Sequence, residues 1–250
     1  MKIGIIGTGA IGGTIAKKMV ASGHNVKVNN SKQGEKLNAR ALELGASPAT
    51  IENVVKDVDV IILSVPTVAI PTLPKDLFAK VPENVIVVDT SNYYPFRDAD
   101  IDEIKNGKVE SVWVSEQLGR PVIKAFNNLL AETLENGGKK TATENRIAMA
   151  VAGDDEEAKK VITGLINDAG FDAVDSGNLS ESWRHQPGTP AYCTELNAEE
   201  LKQALSDGIK EKAPSLRDKA IAALSSLPSY PSHPDIVKYN RRLFQKNSNT

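Results

Sequence analysis

The sequence predicts a doubly wound α/β fold, a parallel sheet with helices on both faces, followed by a small C-terminal helical appendage. Three observations predict it. An apolar run at Lys2–Ile6 leads into Gly7, Gly9 and Gly12 at Gly-x-Gly-x-x-Gly spacing. Short apolar runs then alternate with amphipathic helical patterns as far as residue 175. Beyond that point the alternation gives way to a long loop and a proline-rich tail. The predicted division is a sheet domain at 1–176 and a loop, helix and extended arm at 177–250.

Taken in order, the expected strands are 2–6, 25–29, 59–64, 84–88, 121–125, 146–151 and 171–175. The expected helices are 10–21, 34–44, 99–105, 110–118 and 154–168. Val60-Ile61-Ile62-Leu63 and Val85-Ile86-Val87-Val88 are apolar at every position, which suits parallel strands covered on both faces. Such alternation implies right-handed crossovers and a ligand beyond the carboxyl ends of the strands. Residues 194–212 read as one helix. The remainder carries Pro214, Pro228, Pro231 and Pro234 and a basic end at Lys238, Arg241 and Arg242. It reads as an extended arm of the kind that wraps a partner subunit, which predicts a homodimer.

The glycines have separate physical tasks. Gly7 allows a tight turn off the first strand, Gly9 admits a pyrophosphate close to the backbone, and Gly12 lets the helix pack against the sheet. With Thr8, Ala10 and Ile11 they form the start of a helix whose free N–H groups and dipole favour phosphate. A Rossmann dinucleotide site is therefore expected here. The second strand decides which dinucleotide. An acid near its end would bond the ribose 2′-hydroxyl of NAD, but the sequence there is Asn30, Ser31 and Lys32, with Lys36 one helical turn further on. A hydroxyl, an amide and two lysines accept and neutralise a 2′-phosphate, so the expected cofactor is NADP rather than NAD.

Other strand ends supply further candidates. Ser64, Val65 and Pro66 form either an apolar wall against a nicotinamide or an ordinary strand exit. Tyr93 and Tyr94, after Asp89-Thr90-Ser91-Asn92, either stack on a substrate ring or close a turn. Ala125 is small enough to admit a ring closely, and Asn127 faces it or caps the next helix. The loop Trp183–Tyr192 offers Arg184 and His185 to an anionic or heterocyclic substrate, or serves as a strut.

Composition excludes several classes. The net charge of −2 leaves no footprint for nucleic acid or an anionic membrane. The single cysteine, Cys193, rules out an internal disulfide and a cysteine-based zinc cluster, and three scattered histidines give no metal-ligand spacing. No metal and no membrane partner are expected, and without a signal-peptide pattern a cytoplasmic location follows.

The combination of Gly-Thr-Gly-Ala-Ile-Gly, Asn-Ser-Lys with Lys36, Leu63-Ser64-Val65-Pro66, Lys124-Ala125-Phe126-Asn127 and Ala152-Gly153-Asp154-Asp155 resembles NADPH-dependent reductases of the deazaflavin (coenzyme F-420) type. The resemblance covers roughly residues 1–195. It extends to the nucleotide-binding domain of six-transmembrane metalloreductases. The resemblance implies pyrophosphate binding at Thr8–Ile11, a 2′-phosphate at Ser31, Lys32 and Lys36, and a nicotinamide beside Ala125. Lys32 stands where that family commonly has arginine, which weakens bidentate phosphate recognition without removing it. The expected function is hydride transfer from NADPH to a small-molecule acceptor, a flavin or deazaflavin. The alternatives are an NADP(H)-binding redox sensor without turnover and a hydroxyacid dehydrogenase relative. The latter pairs the same fingerprint with a long helical second domain and a catalytic lysine, for which Gly137-Gly138-Lys139 lacks the context.

Overall fold

The computed structural model describes residues 1–227, 229 and 231–244. The first half of the fold comprises β1 (Lys2–Ile6), α1 (Ala10–Ala21), β2 (Asn25–Asn29), α2 (Glu35–Leu44), β3 (Ser47–Pro48), α3 (Ile51–Val54), β4 (Val60–Leu63) and β5 (Ile86–Asp89). Next come α4 (Pro95–Asp98), α5 (Asp102–Lys105), α6 (Glu110–Leu118), β6 (Ile123–Lys124), α7 (Ala131–Asn136), β7 (Ala148–Val151), α8 (Glu156–Asp168) and β8 (Asp172–Asp175). Three helices follow, α9 (Ala198–Asp207), α10 (Ala213–Ser225) and α11 (His233–Phe244).

Six strands pair in parallel in the order β3-β2-β1-β4-β5-β6. The two-residue β3 escapes the sequence pattern because Ser47 and Pro48 carry no apolar signal. β7 and β8 form a separate parallel pair. One antiparallel bridge, Lys124 with Ala152, joins that pair to β6. The expected single run of parallel strands is thus broken at β7.

The sheet buries two faces because neighbouring side chains point in opposite directions. Val60 and Ile62 of β4 join a core with Ile15 and Met19 of α1 and Ile162 and Leu165 of α8. Ile61 and Leu63 face the other way, against Val54 of α3 and Trp113 and Val114 of α6. Local chemistry sets the helix limits. The Asp155 carboxylate accepts from Glu157 and Ala158 N–H to start α8, and Gly45 at φ 69 ends α2.

Three expected elements take different forms. The helix expected at 99–105 is interrupted by Ala99, whose φ is 56. The Tyr93 hydroxyl pins this break by donating to Ala99 O at 2.8 Å and accepting from Ile101 N–H at 3.3 Å. The helix expected at 194–212 shortens to α9, because Cys193 and Glu195 adopt φ of 55 and 52 and the segment up to Asn197 lies along β7. The expected extended arm is largely two helices. Pro214 and Pro234 occupy the first turns of α10 and α11, where a missing N–H costs nothing, so these prolines start helices. Pro228 of that arm lies outside the described residues.

The basic end of the arm is engaged within the chain. Arg241 on α11 donates to the carbonyls of Thr194 at 2.6 Å and Glu195 at 2.7 Å. Asn240 donates to Cys193 O at 3.3 Å, and His233 lies 2.9 Å from the Glu195 carboxylate. α11 therefore clasps the segment with left-handed backbone. Arg241→Ala should lower the unfolding free energy in urea by about 1.5–3 kcal/mol, the range for hydrogen bonds to a charged group. An unchanged midpoint would mean that the clasp contributes nothing.

Candidate functional site

The carboxyl end of β1 holds its shape through close backbone approach. Gly7 has φ +98, and a Cβ there would sit 2.1 Å from the Ser64 carbonyl oxygen. A Cβ on Gly12 would sit 2.1 Å from the Gly7 oxygen. Both positions therefore require glycine for α1 to seat against the ends of β1 and β4. Gly9 differs, since a Cβ there would meet nothing within 4 Å. Gly9 caps α1 without any side-chain hydrogen bond, and no acid stands in the first turn. The N–H groups at Ala10 and Ile11 keep the positive end of the helix dipole available to an anion.

A groove of about 940 Å³ crosses the ends of β1, β2 and β4. Gly7, Thr8 and Gly9 form one wall, and Ser64, Val65 and Pro66 the other. At its β2 end stand Asn30, Ser31, Lys32 and Lys36. Asn30 shapes this corner, donating to Thr8 Oγ1 at 2.7 Å and accepting from Lys32 N–H at 2.8 Å. Ser31, Lys32 and Lys36 are exposed.

Arg40 also lines the groove and is absent from the sequence-based set. It follows Lys36 by one helical turn on the same face of α2, and that spacing was the available signal. Its guanidinium donates to Thr8 O at 3.2 Å and to Glu43 at 2.6 Å. Arg40 and Lys17 hold the Glu43 carboxyl below its usual range.

A second cleft of about 300 Å³ continues from Gly9, Ser64 and Pro66 towards Asn92, Tyr94, Asn127 and Tyr192. Ala10, Ile11 and Val65 also line it. Ala125, expected beside a ring, is 0% exposed, and Phe126 takes the lining position. Phe126 has φ 60, a left-handed conformation that costs a bulky residue on the order of 1–3 kcal/mol. This turn brings Asn127 to the cleft. The Asn127 amide donates to Asn92 Oδ1 at 3.0 Å and to His185 O at 2.8 Å.

Beneath the cleft lies a buried polar layer. The Lys124 ammonium is 2.9 Å from Asp89 Oδ2 and also donates to the Ser91 carbonyl. Ser111 donates to the same Asp89 carboxylate at 2.7 Å. His185 belongs to this layer rather than to the cleft, being 0% exposed. Its Nδ1 lies 2.8 Å from Asn127 Oδ1, while its Nε2 has no partner among the described residues. With the Asn127 amide nitrogen donating elsewhere, His185 carries its proton on Nδ1. Burial, reinforced by Lys124, pushes its pKa down to about 3. His185 is thus a neutral positioning group, which corrects its expected role as a substrate contact.

Two further expectations are corrected. Tyr93 is 1% exposed and spends its hydroxyl on the break after α4. Arg184 donates to Glu181 at 2.7 Å and to Leu205 O at 3.1 Å, and lies over the Trp183 ring, away from both clefts. Of the 183–192 loop only Tyr192 reaches the cleft, while Pro187, Gly188 and Thr189 line a neighbouring cavity. Tyr94 does line the cleft, with its hydroxyl 2.5 Å from that of Tyr192.

The depressed His185 value has a signed consequence. Its contribution to stability is complete above the unfolded value of 6.5 and is lost as pH falls towards about 3, because the unfolded chain binds the proton first. Glu110 acts oppositely: burial raises its carboxyl to about 6, so its contribution is largest below 4.5 and lost as pH rises through about 6. His185→Gln should therefore flatten the acid-side fall in unfolding free energy between about pH 6 and pH 4. Retention of the parental slope would assign that fall to other groups.

Comparison with known proteins agrees with this geometry. Residues 2–93 match the family model described as NADP oxidoreductase coenzyme F420-dependent. "Putative protein YjhV" of Escherichia coli (strain K12) is 39% identical over 101 residues, covering 40% of this chain and 74% of that protein. Among solved structures, the hypothetical protein SMa0349 from Sinorhizobium meliloti superposes with a TM-score of 0.66 at 28% identity, over 79% of this chain and 95% of that one. A "putative f420 dependent nadp-reductase" from Arthrobacter sp. FB24 superposes with a TM-score of 0.63 at 17% identity, over 92% and 96% of the two chains, and this likeness speaks to the fold alone. The matched segment contains the glycine loop, the cationic end of β2 and the Pro66 turn, and the chain belongs to the coenzyme F420-dependent NADP oxidoreductase family.

Proposed function

We propose that the protein is an NADPH-dependent oxidoreductase that passes hydride to a flavin- or deazaflavin-like ring. The observation that carries this reading is the continuity of the two clefts, cationic at the β2 end and lined by amide and phenol groups at the other. The residues present fit NADPH. The α1 N-terminus has no side-chain cap, Gly9 leaves room for close approach, and exposed Ser31, Lys32 and Lys36 stand where a 2′-phosphate needs partners. Ser64, Pro66 and Asn127 border the place left for the nicotinamide.

When bound, the dinucleotide supplies hydride; the chain itself needs no nucleophile. Its work is alignment, which contributes up to about 7–11 kcal/mol for well-placed reactants. The Asn92–Asn127–His185 bonds hold the Asn127 amide still, and Pro66 and Phe126 line the same cleft.

The adjoining cleft favours turnover over a sensor without chemistry, since the 183–192 loop does not seal it. The hydroxyacid dehydrogenase reading has little support. Lys139 lines a separate depression with Lys18 and Asn167, away from the glycine loop.

Replacing Ser31 and Lys32 together by alanine should weaken NADPH binding at least tenfold, about 1.5–3 kcal/mol for hydrogen bonds to a charged group. NADH affinity should change little. Equal losses for both nucleotides in fluorescence titration would remove the 2′-phosphate assignment. NADPH consumption against the deazaflavin, flavin mononucleotide, flavin adenine dinucleotide, quinones and chelated ferric iron then tests the acceptor class. Tight NADPH binding with no consumption by any of them would favour the sensor.

A further inference from the structure

A third space, about 290 Å³, opens between the sheet domain and the two last helices. Tyr94, Leu130 and Tyr192 form its floor. Ile221 and Leu224 of α10 and Ile236 and Leu243 of α11 form its roof. This cavity adjoins the 300 Å³ cleft, and Tyr94, Leu130, Tyr192 and Cys193 line both.

Its chemistry differs from that of the nucleotide groove. The cation on its wall, Arg217, already donates to Asp218 at 2.8 Å and lies over the Tyr93 ring. Away from Arg217 the described lining at Leu130, Ile221, Leu224, Ile236 and Leu243 is apolar and suits an uncharged ring. The polar groups at the junction are the two phenols. Burial raises both pKa values, so each hydroxyl stays protonated. Asn92 donates to the Tyr192 oxygen at 3.3 Å. One phenolic proton serves the bond between the tyrosines. The other has no acceptor among the described residues and is available to a ligand oxygen or nitrogen. Phe96, 72% exposed and in tilted contact with Tyr94, offers a ring face at the rim. The α11 side of the roof is fixed in place by Arg241, Asn240 and His233, so the space is a built cavity rather than an open helix face.

We propose that this cavity binds the body of the electron acceptor, an uncharged, flat, conjugated ring. One ring oxygen or nitrogen accepts a hydrogen bond from the Tyr94–Tyr192 pair. The acceptor role rests on the oxidoreductase reading above; the ring-binding site rests on the cavity itself. The C-terminal helices thus select the acceptor, while the N-terminal glycine loop selects the nucleotide.

The test uses the full chain and menadione, a neutral naphthoquinone, as the probe. Equilibrium dialysis measures its binding, and fluorescence titration measures NADPH binding in parallel. Ile221→Trp and Leu224→Trp fill the roof and should each weaken menadione binding about tenfold or more, the equivalent of about 1.4 kcal/mol. NADPH affinity should stay within about twofold, since neither residue touches the groove. Tyr192→Phe should weaken menadione about fivefold, the loss of one ordinary hydrogen bond. Equal menadione affinity in the parent and both tryptophan variants would overturn the site, as would no menadione binding by a protein that binds NADPH normally. If sedimentation shows that the tryptophan variants dissociate a dimer, the cavity holds a second copy of the chain and the proposal falls. Menadione binding at the cavity without NADPH binding would overturn the acceptor role and the oxidoreductase reading, and leave the ring site standing.

Discussion

The Lys124 ammonium is the point on which the site depends. It is 0% exposed, and its charge is met by Asp89 at 2.9 Å and by the Ser91 carbonyl. Desolvating both partners costs several kcal/mol per ion, recovered only when the remaining lone pairs are also bonded. Ser111 and the Ser91 N–H meet that condition by donating to Asp89 at 2.7 and 2.8 Å. The ends of β5 and β6 and one face of α6 are thereby held in one arrangement. Asn92 and Tyr94 leave this knot on one side and Phe126 and Asn127 on the other, so the cleft between them inherits its geometry from a buried charge.

The same arrangement separates two electrostatic tasks along one sheet edge. The β2 end carries exposed cations beside an uncapped helix start, suited to an anion that must enter and leave. At the β5–β6 end the charges are paired, Lys124 with Asp89 and Arg97 with Asp98, and the amide, imidazole and phenol groups beside them are neutral. For three of these groups burial disfavours the charged form: His185 is driven down and Tyr94 and Tyr192 are driven up. Neutral groups of fixed orientation suit a ring whose electronics change during reaction, because they need no reorganisation of their own.

How much of this was legible in the sequence follows from how local each signal is. The glycine loop and the central strands are written in consecutive residues, and Ile3, Ile5, Val60 and Ile62 fall where the pattern puts them. Lys32 and Lys36 are legible because the end of β2 and the start of α2 are close in sequence. Arg40 was legible through its helical spacing but lay one turn beyond the motif. The misreadings of His185, Arg184 and Tyr93 share another cause. Each has a side chain suited to ligand contact, and each is claimed by a partner within the chain: Asn127, Leu205 O and Ala99 O in turn. Residue type alone does not reveal such pairings. α10 and α11 were hidden because proline reads as a breaker unless its place in the first turn is known.

Arg241 joins the last described helix to carbonyls at Thr194 and Glu195, nearly fifty residues earlier, and this orders assembly in time. Chains emerge from the ribosome N-terminus first, and folding of the leading parts proceeds as they emerge. The glycine loop and the cationic corner of the groove are complete once α2 and β4 are out. The roof over Tyr94 and Tyr192 cannot close until α11 has been released and its guanidinium has found those two carbonyls. Each newly made molecule therefore passes through an interval in which the nucleotide-side groove exists without the roof over Tyr94 and Tyr192.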